Sequence, residues 1–245
     1  MRTFILTRLN MKDEVEHVTK LIDNISNIGF SGIFLTVRYS EYGKHRNMIK
    51  DVISTYRDNF DIAIRIDIDE RNRNKIKNIL TSIRKNVDII SIAPDKRDLA
   101  AFVCRDRRID VIDVTQNNFN LFSDSMLRMC RENNKVLEFN LIELLYTWRD
   151  RRVRILGKLR TVARRALRMH VKFFITVSPE SFYDLRNPSE IIYIGKVLGF
   201  PREYVKDSIS IVPSEILKIN REKRSRDFVL PGVKIVKRPE RKEEE

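Results

Sequence analysis

Val87-Asp-Ile-Ile-Ser-Ile-Ala93 and Ile109-Asp-Val-Ile-Asp-Val114 are short runs rich in β-branched residues, and Pro94-Asp-Lys-Arg-Asp-Leu-Ala-Ala-Phe-Val-Cys-Arg105 lies between them. The order reads strand, helix, strand. Apolar runs without strict alternation suit parallel strands buried on both faces. Further candidate strands lie at residues 3–7, 31–37, 60–68, 136–140 and 171–177, with a weak eighth at 208–212. Between them Val15, Val18, Leu21, Ile22 and Ile25 follow helical spacing, as do Ile49, Val52, Ile53 and Tyr56, then Ile76, Ile79, Leu80 and Ile83.

Eight strand–helix units in 245 residues fit a closed barrel better than an open doubly wound sheet, which typically has fewer strands and a glycine-rich first turn. The expected fold is α/β, a TIM-like (β/α)₈ barrel with one strand weak or missing. Residues 1–223 form the single barrel domain, and 224–245 form a charged, flexible tail carrying Pro231, Pro239 and a terminal Glu243-Glu244-Glu245. Seven glycines and seven prolines leave short loops, and 42% apolar residues are enough to fill the core. No signal-like or membrane-spanning run is found. Cys104 and Cys130 read as reduced packing thiols of a cytoplasmic protein.

Charge is the strongest compositional signal: 48 Lys and Arg against 34 Asp and Glu give +14. A polyanion partner follows naturally from such an excess, because it repels itself in the compact state. Between 149 and 172 stand Arg149, Arg151, Arg152, Arg154, Lys158, Arg160, Arg164, Arg165, Arg168 and Lys172, with Asp150 the only acid. Ile155, Leu159, Val162, Ala166 and Met169 make one apolar helical stripe, so the arginines fill the other faces. Arg160, Arg164 and Arg168 stack four residues apart, beside a second ridge of Arg154, Lys158 and Arg165. A row at about 6 Å per turn matches successive phosphates, which guanidinium groups bind bidentately. The same row could instead dock an acidic protein. Smaller basic groups at Lys44 and Arg46, Lys96 and Arg97, Arg105, Arg107 and Arg108, and Arg186 with Lys196 are scattered over several units. No aromatic-flanked motif for single-stranded RNA is visible, so recognition by phosphate and shape is expected.

The expected strand ends offer Arg38, Asp67, Asp69, Asp113, Glu138, Asn140, Thr176 and Ser178. Asp67, Asp69, Asp113 and Glu138 together could hold a divalent metal, making a metal-dependent phosphoesterase the rival reading. They could equally be helix caps, partners of neighbouring arginines or a polar rim. Against the metal, His17 falls in the first helix, His45 in a loop and His170 at the opposite rim, so no imidazole joins the carboxylates. No GxSxG, HExxH, cysteine pair at metal spacing or phosphate-cradling loop occurs.

The segment from Ser91 to Asp113 resembles the strand–helix–strand core of the ribonuclease P protein component 3 family. Leu137-Glu-Phe-Asn-Leu141, Arg149, Leu159-Arg160, Phe174-Ile-Thr-Val-Ser178, Asp184-Leu-Arg-Asn-Pro188 and Leu198-Gly199 extend the resemblance over residues 3–220. Ser178-Pro179-Glu180 departs from the pattern, where a Ser followed by small residues is more usual. The resemblance implies a TIM-like barrel with no catalytic centre, metal or cofactor of its own, Mg²⁺ entering only through the RNA. It also implies three partners: the ribonuclease P RNA, a small α/β protein subunit and, indirectly, precursor tRNA. Its basic positions fall on Arg107, Arg108, Arg160 and Arg186, then Lys96 and Arg97. With the helix residues Arg149, Arg154, Lys158, Arg164 and Arg168, these are the expected RNA contacts.

Overall fold

The computed structural model describes residues 3–12, 14–56, 59–225, 228–230 and 233–234. Strands β1 (Ile5–Asn10), β2 (Gly32–Arg38), β3 (Asp61–Ile68), β4 (Ile89–Ile92), β5 (Val111–Val114), β6 (Val136–Asn140) and β7 (Lys172–Thr176) run parallel, each pairing with the next. Helices α1 (Val15–Asn27), α2 (Tyr39–Tyr56), α3 (Arg73–Ile83), α4 (Arg97–Arg105) and α5 (Asp124–Glu132) alternate with them. A short α6 (Ile142–Tyr146) and the long α7 (Arg149–Arg168) then separate β6 from β7. Helices α8 (Pro188–Val197), α9 (Arg202–Ser208) and α10 (Ile211–Arg224) follow β7. The result is a nearly closed TIM-like barrel.

The weak eighth strand expected at 208–212 is instead the junction between α9 and α10. Ser208 Oγ donates to the Val205 carbonyl at 2.7 Å and Ser210 Oγ to that of Lys206 at 2.5 Å, which ties the segment to the helix before it. The junction still sits beside the gap between β1 and β7, and Ile5 N–H donates to the Ile209 carbonyl at 2.8 Å. His45, expected in a loop, is buried within α2.

Alternation along each strand sorts the side chains into an outer core and a lumen. Ile33, Leu35, Val37, Ile66, Ile68, Ile90 and Ile112 pack outward beneath the helices. Inward, Ile5, Phe34, Ala63, Ile89, Val111, Val136 and Phe174 form an apolar floor that Leu217 of α10 covers from below. Asn220 pins α10 there, its Nδ2 donating to Asp110 Oδ1 and the Asp88 carbonyl, while Arg221 pairs with Asp61 at 2.7 Å. Arg224, where the tail was expected to begin, ends α10 and pairs with Asp88. Beyond it β8 (Phe228–Leu230) and β9 (Val233–Lys234) pair antiparallel, and the rest of the expected tail lies outside the described residues.

Candidate nucleic-acid interface

One step above the apolar floor, the same strand period brings polar residues into the lumen. Arg65 of β3 is fully buried and touches four strands: its guanidinium donates to Asp67 (2.9 Å), Ser91 (3.0 Å), Asp113 (3.0 Å) and Glu138 (2.5 and 2.7 Å). It also donates to the Thr7 carbonyl at 3.0 Å. Arg8 of β1 reaches the same carboxylates, at 2.5 Å to Asp67, 2.7 Å to Asp113 and 2.6 Å to Glu138. Ser91 Oγ in turn donates to Asp67.

Two guanidinium groups therefore face three carboxylates, a formal charge of −1. Burial raises the pKa of Asp67, but Arg65 and Arg8 outweigh it and hold the group at about 2. Burial also opposes ionisation of Glu138, and the same two arginines bring its pKa below the usual range. Asp113 behaves differently. Burial pushes it up to about 7 despite Arg8 and Arg65, with Glu138 and Asp67 adding to the rise. A proton shared into the cluster at Asp113 thus removes the excess negative charge near neutral pH.

This geometry makes three of the four strand-end carboxylates partners of arginines. Asp67, Asp113 and Glu138 do converge, and the guanidinium groups of Arg8 and Arg65 engage their oxygens. Asp69 does not join them; it accepts from Ser40 Oγ at 2.5 Å. Asn140 donates to Ser178 Oγ at 2.7 Å. The lumen is an ion-paired plug, and the two arginines that make it, Arg8 and Arg65, are not among the residues that sequence reasoning singles out.

The cationic helix is α7, whose 20 residues extend about 30 Å. Its buried face is Ile155, Leu159, Val162, Ala163 and Ala166, close to the expected stripe, with Met169 half-buried at the C-cap. Arg154, Lys158, Arg160, Arg164 and Arg168 are all exposed. Among the described residues the ion pair formed by this row is Arg168 with Asp124 at 3.8 Å. Arg165 is half-buried and donates to the Phe122 carbonyl at 3.3 Å. Arg160 and Arg164 have no acidic partner among the described residues, so the row meets solvent rather than the chain's own carboxylates.

The remaining basic candidates divide between the two ends of the barrel. Lys96, Arg97, Arg149 and Arg186 lie at the C-terminal rim, where β4, β6 and β7 lead into their helices. Arg107 and Arg108 lie in the turn before β5, at the opposite end. Arg107 is exposed. Arg108 is bound by Asp106 at 2.7 Å and by Thr81 Oγ1 at 3.0 Å. Arg186 donates to the carbonyls of Tyr183 (2.9 Å) and Leu185 (2.6 Å), bracing its own loop. Cys104 and Cys130 are buried free thiols with sulfurs 3.1 Å apart.

Fold and site together define a TIM-like barrel whose lumen is filled by side chains and ion pairs and whose positive charge stands on an outer helix. The chain belongs to the ribonuclease P subunit p30 family, whose sequence profile matches residues 5–225, and it is a ribonuclease P subunit. It is 25% identical over 209 residues to ribonuclease P protein component 3 of Halorubrum lacusprofundi, covering 84% of this chain and 86% of the relative. The corresponding protein of Methanothermobacter thermautotrophicus is 24% identical over 210 residues, covering 81% and 82%. In backbone shape the chain matches a chain of the cryo-EM structure of archaeal ribonuclease P with mature tRNA, with TM-score 0.79, 17% identity and coverage of 96% and 98%. A weaker likeness is to histidinol phosphate phosphatase of Lactococcus lactis complexed with zinc, L-histidinol and phosphate, with TM-score 0.50, 13% identity and coverage of 80% and 93%. Among the described residues no helix is long and apolar enough to cross a membrane.

Proposed function

We propose that this subunit holds the ribonuclease P RNA on the exposed cations of α7 and has no part in bond cleavage itself. The catalytic RNA then removes the 5′ leader of precursor tRNA, which the protein meets indirectly. The observation that carries the reading is the run of Arg154, Lys158, Arg160, Arg164 and Arg168 along one solvent face, where surface helices ordinarily mix charge signs. Each cation placed against a phosphate releases a condensed counterion. Neutralising crowded phosphates stabilises the folded RNA that binds Mg²⁺ and substrate, so metal enters through the RNA. A small α/β protein subunit is the further partner, and the cytoplasm the expected compartment.

Reconstitution of precursor-tRNA cleavage tests this. The catalytic RNA with its other proteins should cleave faster, or at lower Mg²⁺, when this chain is added. Equal cleavage with and without it would refute the reading.

A further inference from the structure

A second surface stands at the C-terminal rim, made of aromatic side chains that distant loops bring together. Trp148 is 74% exposed and Tyr183 is 86% exposed, and their chain neighbours Tyr146 and Phe182 are exposed as well. Large rings left in water at one rim of a well-packed barrel mark a binding surface. We infer that this rim is a stacking surface for unpaired bases of RNA, an inference that rests on the RNA-holding reading above.

The backbone turns the indole outward. Thr147 and Trp148 are extended between α6 and α7, so their side chains point to opposite sides. Thr147 turns inward, where its Oγ1 donates to the Glu143 carbonyl at 2.7 Å, and Trp148 faces solvent. Arg149 follows with φ of 42°, a left-handed conformation that a non-glycine residue adopts only under constraint. Arg152 braces the same turn, donating to the carbonyls of Thr147 (2.6 Å) and Leu145 (3.3 Å) while its guanidinium carbon lies 5.5 Å from the centre of the Trp148 ring. One face of the indole thus carries a cation, and the exposure of the remainder leaves room for a base.

The β7 loop completes the rim. Tyr146 Oη donates to Asp184 at 2.6 Å, tying the two loops together. Asp184 also accepts from Ser181 N–H (2.9 Å) and Oγ (3.0 Å), which fixes the turn bearing Phe182 and Tyr183, whose rings meet edge-on at 6.2 Å. A surface ordered before binding loses little entropy on binding.

Two features favour bases over a protein. The large exposed apolar residues of the two rim loops, Tyr146, Trp148, Phe182 and Tyr183, are all aromatic, as stacking requires, with aliphatic Val153 exposed on the adjoining turn of α7, whereas the exposed apolar surface on α8 and α9 mixes Val197 with Tyr193 and Tyr204. The rim also opens onto the first turn of α7, where exposed Arg149 and Arg151 outnumber Asp150 and begin the cation row. A strand with its bases on the rings can therefore continue with its phosphates along the helix.

Trp148 is the chain's single tryptophan, so its fluorescence reports on this surface directly. The full chain is titrated with a short single-stranded oligouridylate and with an RNA duplex of equal length. Quenching by the single strand is expected. Trp148→Ala should weaken single-strand affinity about tenfold, the value of one stacked base, and duplex affinity less than twofold, with Trp148→Phe restoring most of the loss. Tyr183→Ala, at a still more exposed position, should lower single-strand affinity in the same selective way. An unquenched Trp148 at saturation, or equal losses for single strand and duplex, would overturn the stacking surface. So would a Trp148→Ala particle that loses a protein subunit while its RNA affinity is unchanged. Duplex binding weakened by Arg164→Ala with Trp148 silent removes this inference alone. Failure of the wild-type chain to bind either RNA removes the reading beneath it.

Discussion

Replacing Arg65 by methionine removes the guanidinium at the centre of the barrel while keeping an unbranched, apolar stem. Its five donors contact five acceptor groups, Asp67, Ser91, Asp113, Glu138 and the Thr7 carbonyl, and the side chain is fully buried. Arg8 alone would then face three carboxylates. Removing one member of a buried ionic cluster costs about 3–5 kcal/mol, because the partners stay buried without compensation. For a domain of this size about 4 kcal/mol corresponds to a fall in Tm of roughly 12 °C. The remaining carboxylates would have native pKa values raised above their unfolded values, so the deficit grows as pH rises and shrinks toward pH 5, where they take up protons. Urea unfolding followed by circular dichroism at pH 8 and pH 5 measures both quantities, and adding Glu138→Gln to Arg65→Met should return part of the loss. A loss below about 1 kcal/mol that is the same at both pH values would refute the ion-paired plug.

Asp113, raised to about 7, keeps a proton in the native state that the unfolded chain releases from about pH 4 upward, so its contribution is full below pH 4 and is lost as pH rises through 7. Asp113→Asn should abolish that slope, worth at most about 4 kcal/mol, in a series of urea midpoints between pH 4 and 8. Asp67, lowered to about 2, contributes above pH 4 and is lost as pH falls through 2, so Asp67→Asn should flatten the acid limb once the series is extended down to pH 2. Gly32→Ala places a methyl group 2.7 Å from the Asp61 carbonyl oxygen across the β2–β3 pair, and chemical denaturation should show a loss of about 2 kcal/mol. Arg108→Ala should lower stability by removing the Asp106 pair while leaving RNA affinity, read by filter binding, within about twofold.

The seven strands are legible because each is largely buried on both faces and reads as a mainly apolar run without strict alternation. The segment Ser208-Ile-Ser-Ile-Val212 misleads because it alternates like a strand, and nothing local reveals that its serine hydroxyls bond to helix carbonyls. His45 reads as a loop residue because Gly43 interrupts the helical pattern, although Gly43 sits in open space within α2 and is tolerated there. The α7 stripe and its cations follow directly from helical periodicity. Arg8 and Arg65 do not, since their partners lie up to 130 residues away. A signal is present in Ile64-Arg65-Ile66, where a charge on the lumen-facing phase of a buried strand requires a partner. The aromatic rim escapes a linear reading because it joins the β6 and β7 loops, so no single motif contains it.

The salt dependence of affinity for the ribonuclease P RNA tests the central claim most directly. Log affinity against log salt should be steep for the wild-type chain, and Arg160→Ala/Arg164→Ala should make its slope shallower by about 1.5–2, one increment for each phosphate left without its arginine. Identical slopes and affinities for the two proteins would contradict the account.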